Sequence, residues 1–322
     1  MVQIIAELCQ NHCGDRKLLS EMIAAAAENG ADIVKSQMIF SEDLTHRPEF
    51  DEGKTDADGI VRVIKRPYAA EYERLKKLDL TEDDHRFFIE ECTKRNVAPM
   101  TTVFSRNRVA FSSALPWPKR IVKVASYDCA SATLIRELAE HFDHLYISTG
   151  ATFDQEIAAT AALVHSMGKT LSFLHCVTSY PNTLEMCNLR RVEWLRQYAP
   201  SVGWSDHTLV KRDGVKAAKA AIALGADVIE RHFTILPEDQ TKDGPVSITP
   251  AMLKELRGFA AAPKEEQWRI AQEEIPDWKG ILGSPTRALT PAELLNRDYY
   301  RGRFGSKVHG KWIYNWEDIP VA

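Results

Sequence analysis

The stretch Val202-Gly-Trp-Ser-Asp-His-Thr208 is followed, about one helix further along the chain, by Val228-Ile-Glu-Arg-His-Phe-Thr234. Each stretch is a short apolar run that ends in polar side chains able to bind a metal, which is typical of a buried parallel strand leading into a loop. The two histidines, His207 and His232, are therefore expected at the ends of consecutive strands. We therefore predict a barrel of parallel strands, with the two histidines and any group that they bind at the ends of those strands.

The same alternation of buried strand and helix extends along most of the chain. Strands are expected at residues 2–8, 31–38, 97–104, 120–126, 144–150, 170–176, 202–205 and 226–233. Eight strand–helix units predict an α/β fold, a (β/α)8 TIM barrel, over residues 1–262. A doubly wound open sheet is the alternative, but it does not need eight units, and no G-x-G-x-x-G follows a strand.

Two parts of the chain depart from this alternation. Residues 41–67 are rich in Asp, Glu and Gly, which predicts a lid or a disordered loop. After residue 262 the strand–helix pattern stops, so residues 263–322 are expected to form a C-terminal extension, a short tail without a domain of its own. Its aromatic patch, Lys311-Trp-Ile-Tyr-Asn-Trp316, is expected to pack on a surface of this chain or of a second one.

Composition and charge narrow the class of protein. The 322 residues are 44% hydrophobic and 27% charged, with a formal net charge of −4, as in ordinary soluble domains. No Lys/Arg run with interleaved aromatics indicates a nucleic-acid partner, and no apolar stretch reaches the roughly 18 residues of a membrane span. The N-terminus lacks the pattern of a secretion signal and the six cysteines are scattered, so we expect reduced thiols in a cytoplasmic protein.

Polar side chains gather where the predicted strands end, the face that carries the active site in barrel enzymes. They are Glu7, Asn11, Lys35, Gln37, Thr101, Thr102, Lys123, Ser126, Asp128, Ser148, Thr149, His175, Ser205, Asp206, His207, Glu230 and His232. Lys35, Lys123 and Glu230 lie inside apolar runs, where an unpaired charge is costly. The lysines either pair with Glu7 and Glu230 for structural reasons, or form an anion site, or include a Schiff-base lysine.

The histidine pair predicts a metal site. Either His207 or His232 alone would be interpreted as a hydrogen-bonded core histidine. Two of them on adjacent strand ends, with Glu7 or Glu230 available, favour an N/O site for a divalent ion such as Mn²⁺. The motif Cys9-x-x-x-Cys13 has no second pair at zinc-finger spacing, so the sequence does not favour a metal there.

Five separated motifs carry a family resemblance. They are Ile5-Ala-Glu-Leu-Cys-Gln-Asn-His12, Val34-Lys-Ser-Gln37, His175-Cys-Val-Thr-Ser-Tyr-Pro181, Ser205-Asp-His-Thr208 and Glu230-Arg-His-Phe-Thr234. In this order, over about residues 3–260, they resemble the sialic acid synthase family, which includes N-acetylneuraminate synthase and its legionaminate, pseudaminate and spore-coat relatives.

The resemblance implies a reaction and a cofactor. Phosphoenolpyruvate would condense with an open-chain N-acyl amino sugar similar to N-acetylmannosamine, with the help of a divalent metal, Mn²⁺ or Mg²⁺. Phosphate would leave, and a sialic-acid-like 2-keto acid would form. The resemblance also implies a homodimer that carries out this carbohydrate biosynthesis.

Roles for individual residues follow from the resemblance and from the strand ends. His207 and His232 resemble the metal ligands, and Glu7 resembles an acid/base group at the reacting carbons, with Lys123 and Glu230 also expected to be catalytic. The expected substrate contacts are Lys35, Gln37, Thr102, Ser126, Asp128, Thr178, Tyr180, Ser205 and Asp243. Lys123 doubles as a phosphoenolpyruvate contact.

Some positions depart from the family pattern. Thr178 stands where the family usually has Asn, and Gln240-Thr-Lys-Asp243 replaces a Pro-Gly-Pro-Asp run. The usual C-terminal antifreeze-like domain is expected to be lacking. In its place, Arg301, Arg303 and the aromatic residues that follow are expected to pack near the strand ends of one barrel of a homodimer, or else to plug or cover the barrel elsewhere. Two rival functions stay open: a Schiff-base aldolase or lyase using Lys123 or Lys35, and a non-catalytic barrel that serves as a partner subunit.

Overall fold

Eight parallel strands close into a barrel in the computed structural model, which describes residues 2–308, 310–314 and 317–320. Eight of the thirteen strands among the described residues form the barrel, the last three form a separate sheet, and the third and fourth form a hairpin. The thirteen strands are β1 (Gln3–Glu7), β2 (Ile33–Met38), β3 (Lys54–Thr55), β4 (Val61–Val63), β5 (Ala98–Val103), β6 (Ile121–Val124), β7 (His144–Ser148), β8 (Thr170–Cys176), β9 (Ser201–Asp206), β10 (Val228–His232), β11 (Gly305–Val308), β12 (Lys311–Tyr314) and β13 (Glu317–Pro320). Around the barrel the order is β1-β10-β9-β8-β7-β6-β5-β2. The predicted (β/α)8 barrel is thus confirmed.

Helices connect the barrel strands and continue beyond the last of them. They are α1 (Arg16–Glu28), α2 (Glu49–Glu52), α3 (Tyr68–Lys76), α4 (Glu82–Lys94), α5 (Val109–Ala114), α6 (Ala132–His141), α7 (Asp154–Ser166), α8 (Arg190–Leu195), α9 (Val210–Asp213), α10 (Lys216–Ala223), α11 (Pro250–Ala261), α12 (Lys264–Glu274), α13 (Trp278–Leu282) and α14 (Pro291–Arg301). Among the described residues, no helix combines the length and apolarity that crossing a bilayer requires.

Local signals explain where several helices begin. The carboxylate of Asp15 accepts hydrogen bonds from the amides of Lys17 and Leu18 at 2.7 and 3.2 Å, which caps α1. Thr81 and Asp84 form a reciprocal capping box at α4. Such side chains satisfy backbone donors that the first helical turn leaves free.

Side chains at every second position of a barrel strand face the interior, and they form the barrel floor and the site above it. An inner cluster of Ile5, Ile33, Met100, Ile121, Tyr146, Leu174 and Val228 fills the lower barrel. Two residues further along the same strands stand Glu7, Lys35, Thr102, Lys123, Ser148, Cys176 and Glu230. Side chains two apart share one face of a strand, so each strand contributes one apolar floor residue and one polar group above it.

The remaining barrel strand, β9, has a glycine at the floor position. A Cβ on Gly203 would meet the carbonyl oxygen of Val228 at 2.1 Å, so glycine allows β9 and β10 to approach here. Ser205 follows two residues later and keeps the register of polar groups.

The two irregular regions contain secondary structure that the sequence did not indicate. Residues 41–67 are neither a structureless loop nor disordered: they contain α2 and the hairpin of β3 and β4, and α3 follows directly. Beyond residue 262, three more helices form, which the charge-rich composition obscured. The last of them, α14, begins at a capping box of Thr290 and Glu293 with Pro291 at its first position.

The tail packs against its own barrel at the strand ends. The amide of Lys307 donates to the side-chain oxygen of Asn107 at 2.7 Å, and the Asn107 amide donates to Ser306 Oγ at 3.3 Å. Phe304 pairs with Leu44 in a short bridge. Trp312 is 42% exposed, whereas Trp316 of the predicted aromatic patch lies outside the described residues.

Candidate active site

A cavity of about 400 Å³ opens at the carboxyl ends of the barrel strands, a size suited to small substrates. Twelve of the fourteen predicted site residues line it: Glu7, Lys35, Gln37, Thr102, Lys123, Ser126, Tyr180, Ser205, His207, Glu230, His232 and Asp243. The other two, Asp128 and Thr178, are buried and do not line it. The alternation of the strands therefore brings most of the predicted residues to one place.

Lys35 and Glu7 form an ion pair on neighbouring strands. The Lys35 ammonium also donates to Thr102 Oγ1 at 2.8 Å, and Gln37 Nε2 donates to Glu7 Oε1 at 2.8 Å. Burial alone would lower the pKa of Lys35, but the carboxylates of Glu230 and Glu7 outweigh it and raise this pKa. Lys35 is consequently a permanent cation, as the structural-pair interpretation expected.

Lys123 is different, because it has no carboxylate within salt-bridge distance among the described residues. Its ammonium donates to Ser148 Oγ at 2.7 Å and to the carbonyl oxygen of Val124 at 2.9 Å. Burial lowers the pKa of Lys123, and Glu230 opposes this while Lys35 adds to it. A buried ammonium held only by neutral groups at a cavity wall is ready to pair with an anion.

Glu230 is a carboxylate of the cavity wall whose charge interacts with both lysines. Its Oε1 accepts from Ser205 Oγ at 3.1 Å, while Oε2 has no hydrogen-bond partner among the described residues. Burial would raise its pKa, but Lys123 and Lys35 lower it overall. Glu230 is therefore an ionised carboxylate with one free oxygen.

The two predicted metal ligands meet at the ends of β9 and β10. The rings of His207 and His232 pack edge to face with centroids 4.8 Å apart. Burial, and then His232, lower the pKa of His207 well below its usual value, so its ring is neutral and keeps a lone pair for a ligand. Behind them, Asp206 pairs with Arg231 at 2.7 Å and accepts from the Thr208 amide at 2.9 Å, which fixes the loop that carries His207.

A metal fits these residues by its donor chemistry. Among the described residues, the Cys9 thiol, the His232 ring and the Asp243 carboxylate place ligand atoms within 4.8 Å of one another. His207 is not a member of that group, and Cys9 was not predicted. The two cysteines of the Cys9-x-x-x-Cys13 motif separate, because Cys9 is buried and Cys13 is exposed. Sequence spacing within the chain could not show that Cys9 approaches a histidine on β10.

The outer half of the cavity includes two helices, α3 and α14, that were not predicted from the sequence, besides Tyr180, Asp243 and Arg303, which were expected near the strand ends. Helix α3 brings Arg74, and α14 brings Asn296 and Tyr300, with Arg303 just beyond it. The remaining lining residues not predicted for the site are Gln10, Ile39, Arg66, Phe104, Ala125, Tyr127, Ser148, Cys176 and Lys242. The pattern Thr290-Pro-Ala-Glu293 is the signal that would have located α14.

Three cations at the mouth of the cavity share one carboxylate, that of Glu71. Arg303 contacts it at 2.5 Å, Arg74 at 2.9 Å and Lys242 at 3.7 Å. Burial would raise the pKa of Glu71, but these cations lower it to about 2. With Arg66 also in the wall, the mouth carries more positive than negative charge.

Asp128 and Thr178 support the wall from behind. Thr178 Oγ1 lies 3.4 Å from Ser126 Oγ, and its carbonyl oxygen accepts from Asn296 Nδ2 at 2.8 Å. Burial raises the pKa of Asp128 to about 8, against the opposing charges of Arg301 and Lys123. These two residues can position Ser126 and α14, but the structure does not bring them to the cavity surface.

Comparisons with known proteins agree with this geometry. The NeuB family profile matches residues 22–264. N,N'-diacetyllegionaminic acid synthase of Legionella pneumophila is 30% identical over 312 residues, which span 94% of this chain and 83% of that protein. N-acetylneuraminate-9-phosphate synthase of Homo sapiens is 27% identical over 90% of this chain and 74% of its own length. The solved structure of N-acetylneuraminic acid synthetase from Leptospira borgpetersenii superposes with a TM-score of 0.65 at 25% identity, covering 92% of this chain and 90% of that one.

Proposed function

This chain belongs to the NeuB family of phosphoenolpyruvate-dependent condensing enzymes, and we propose that its acceptor is an open-chain N-acyl amino sugar and that a divalent metal assists the reaction. The product is then a sialic-acid-like nonulosonic 2-keto acid, released with inorganic phosphate. One observation carries the proposal: the ammonium of Lys123, without a carboxylate partner, shares a cavity wall with Lys35, Glu230 and the histidine pair.

The inner half of the cavity suits phosphoenolpyruvate. Its phosphate and carboxylate carry charge that Lys35 and Lys123 can balance, and charge-assisted hydrogen bonds are the strong ones. The hydroxyls of Thr102, Ser126 and Ser205 line the same wall. We assign these residues to binding and orienting phosphoenolpyruvate.

At phosphoenolpyruvate the reaction forms two σ bonds and breaks the C2=C3 π bond and the bond from C2 to the phosphate oxygen. The π electrons bond C3 to the aldehyde carbon of the acceptor, which leaves positive charge at C2 and an alkoxide on the acceptor. Water adds at C2, and phosphate leaves as the keto group forms. Of the two water protons, one goes to the alkoxide and the other to the departing phosphate. Glu230 lies ionised in the cavity wall, where it stabilises positive charge. We propose that Glu7 acts as an acid/base group that transfers a proton at the reacting carbons. Lys35 and Gln37 hold its carboxylate in place for this role.

A divalent ion held by His232, with His207, Cys9 or Asp243, would supply a Lewis acid that polarises the aldehyde oxygen or acidifies a water. The neutral ring of His207 and the unpaired oxygen of Glu230 support such an ion in this wall. Oxygen and imidazole donors suit Mn²⁺ or Mg²⁺.

The outer half of the cavity suits the acceptor. The Tyr180 ring packs edge to face on His207 with centroids 4.5 Å apart, and Tyr300 lies 6.5 Å from Tyr180. Asn296 offers amide hydrogen-bonding groups of the kind that an N-acyl substituent pairs with. The basic mouth around Glu71 favours an acceptor with an anionic substituent at its far end.

The direct test is phosphate release from phosphoenolpyruvate in the presence of a panel of acceptors. The panel contains N-acylated and free amino hexoses, each with and without a terminal phosphate. We expect release that depends on an N-acyl sugar and on a divalent ion, and is faster with the phosphorylated sugars. Equal release without any sugar, or none with the whole panel, would reject this acceptor class.

The lowered pKa of Lys123 also favours a second candidate, an aldolase that forms a Schiff base. Borohydride reduction in the presence of substrate separates the two mechanisms. The condensation proposed above leaves Lys123 unmodified, whereas a Schiff base adds the mass of the reduced substrate. Mass analysis of the peptide that contains Lys123 reads out the difference, with the peptide of Lys35 measured in parallel.

Two further properties complete the proposal. We place the protein in the cytoplasm, where phosphoenolpyruvate is available.

We also propose a homodimer. The apolar side chains of Ile60, Val61 and Trp312 are exposed, and association with a second chain could cover them. The mass of the protein in solution tests the dimer, and a monomer at working concentration would rule it out.

A further inference from the structure

We infer that Cys9 binds the metal of this site as a thiolate, together with His232 and Asp243, and that the site therefore prefers thiophilic ions such as Zn²⁺ and Co²⁺ over Mg²⁺. The inference deepens the proposed function and rests on it, since it concerns the metal of the same cavity. It adds a sulfur ligand from the turn after β1 to donors that come from β10 and the loop beyond it.

The geometry of the three side chains carries the inference. Cys9 Sγ lies 3.0 Å from His232 Nδ1, and one ligand atom from each of the three residues lies within 4.8 Å of the others. In a tetrahedral site the usual metal–sulfur and metal–nitrogen bond lengths put sulfur and nitrogen roughly 3.5 Å apart. Small side-chain shifts are therefore enough to close this group around an ion.

The backbone of Cys9 has a strained conformation that directs its side chain toward the site. Cys9 has a φ of 50°, in the left-handed region that a residue with a Cβ seldom adopts. Its side chain is fully buried, and it turns toward β10 instead of following the strand. Backbone strain of this kind is concentrated at functional sites.

The third member of the group lacks a partner. Within the described residues, no hydrogen bond or ion pair of the Asp243 carboxylate is present, although its backbone carbonyl oxygen accepts from Ser247 Oγ at 2.7 Å. The carboxylate is partly buried and faces Cys9 and His232. A partly buried carboxylate without a partner is costly, and a cation shared with a thiolate and an imidazole would relieve that cost.

The alternative is that Cys9 stays a thiol and donates a hydrogen bond to His232 Nδ1. It would then position the ring without touching the metal, as outer partners of ligating histidines do. Only a thiolate ligand gives a sulfur-to-metal charge-transfer absorption, so spectroscopy distinguishes the two roles without any substrate.

The experiment loads metal-free protein with Co²⁺ alone and records the near-ultraviolet spectrum. We expect a thiolate-to-cobalt charge-transfer band in the unaltered protein and its loss in Cys9→Ser. Cys13→Ser, in the same loop, and Cys176→Ser, whose Sγ lies 3.7 Å from His207 Nδ1, are matched controls that keep the band. Asp243→Asn keeps the band but weakens Co²⁺ binding by about tenfold or more.

Ion preference gives a second readout. Cys9→Ser should weaken Zn²⁺ binding by about tenfold or more and leave Mg²⁺ binding almost unchanged, because oxygen-seeking ions gain little from sulfur. Circular dichroism of each variant confirms folding. Should Cys9→Ser fail to fold, Cys9→Ala is loaded with Co²⁺ in its place, and a band that persists there contradicts the inference.

Three results would overturn the inference: no band in the cobalt-loaded unaltered protein, a band that persists in Cys9→Ser, or a band that is lost in Cys13→Ser or Cys176→Ser. None of them depends on the acceptor. A protein that shows the band but releases no phosphate with any sugar would keep this inference and lose the proposed function. Sugar-dependent release without the band would do the reverse.

Discussion

At the scale of single residues, Lys123 is the most informative group in the cavity. Its ammonium is buried and hydrogen-bonded only to Ser148 and to a backbone carbonyl oxygen. Thr102, its register partner on the neighbouring strand, carries no charge. Glu230 acts on Lys123 through its charge but forms no salt bridge with it among the described residues. The side chain is explained by an anionic ligand better than by folding.

Lys123→Ala should raise the Michaelis constant for phosphoenolpyruvate about tenfold to a hundredfold and change that of the acceptor much less. The expectation follows from losing a charge-assisted contact, worth about 1.5–3 kcal/mol. Steady-state kinetics with each substrate varied in turn measures it. Lys219→Ala is the control, because Lys219 is a buried lysine that pairs with Glu274 and Glu255 outside the cavity. Equal increases for both substrates would contradict the assignment.

His207→Ala and His232→Ala should each lose the bound metal and with it the activity. The reason is that the two rings meet at consecutive strand ends, where imidazole nitrogens can bind a metal. Metal analysis of the purified variants after loading gives the answer. His165→Ala, on the exposed side of α7, is the control, and full occupancy in His207→Ala would restrict the site to His232, Cys9 and Asp243.

Asp128 should make the protein less stable as the pH rises. Its folded-state pKa is raised by burial from 3.8 to about 8, so the folded state holds a proton that the unfolded state has lost. This contribution to stability is complete below about pH 4 and is lost progressively up to about pH 8. Asp128→Asn, which keeps the shape without the charge, should flatten that decline in thermal unfolding profiles. Parallel declines in both proteins would assign the pH dependence to other groups.

At the scale of secondary-structure elements, α14 decides what the outer cavity can bind. It stacks Tyr300 on Tyr127, with ring centroids 5.0 Å apart, and reaches the barrel wall through Asn296. The helix is anchored by Arg297, which pairs with Glu156 of α7 at 2.5 Å. A helix of the C-terminal extension thereby becomes one side of the outer half of the cavity.

Asn296→Ala should raise the Michaelis constant of the acceptor several-fold and leave that of phosphoenolpyruvate nearly unchanged. The change removes amide hydrogen bonds and loosens α14 from the carbonyl oxygen of Thr178. Kinetics with both substrates measure the split. Leu294→Ala, which alters an exposed side chain of the same helix, should have no effect on either constant, so an equal effect of the two variants would point to general loosening of α14.

Thr290→Ala should cost about 1 kcal/mol of stability by removing the cap of α14. Thr290 Oγ1 accepts from the Glu293 amide at 3.3 Å, and the Glu293 carboxylate accepts in return from the Thr290 amide at 3.0 Å. Urea unfolding measures the difference, with Thr290→Ser as a variant that retains the cap. Equal losses in the two variants would mean that the cap contributes little.

At the scale of the whole molecule, charge is distributed unevenly. The chain carries a formal net charge of −4, yet its cavity is lined by six cationic side chains and three carboxylates. The cations are Lys35, Arg66, Arg74, Lys123, Lys242 and Arg303, and the carboxylates are Glu7, Glu230 and Asp243. A concave site of one sign attracts a ligand of the other sign.

Raising the ionic strength from low to about molar salt should therefore raise the Michaelis constant for phosphoenolpyruvate several-fold, because the Debye length falls from about 30 Å to about 3 Å. A neutral N-acyl sugar serves as the internal control, since its Michaelis constant should move much less. Rates measured across the salt series test this, and a constant value for phosphoenolpyruvate would show that the cavity charges are already neutralised by their neighbours.

The sequence by itself determined the barrel and the inner half of the site. Apolar runs that alternate with helices specify parallel strands, and the period of two along each strand places Lys35, Lys123 and Glu230 above the apolar floor. Both relations are local in the chain, so they can be deduced from spacing. The same locality fixed His207 and His232 at adjacent strand ends.

Tertiary structure alone decided the outer half. Cys9 meets His232 across more than two hundred residues, and α14 meets the loop after β8 across more than one hundred. Asp128 has the residue type of a substrate contact, yet packing turned it away from the cavity. Contacts of this kind depend on how helices pack and loops close around the barrel, and no period or spacing within one segment encodes them.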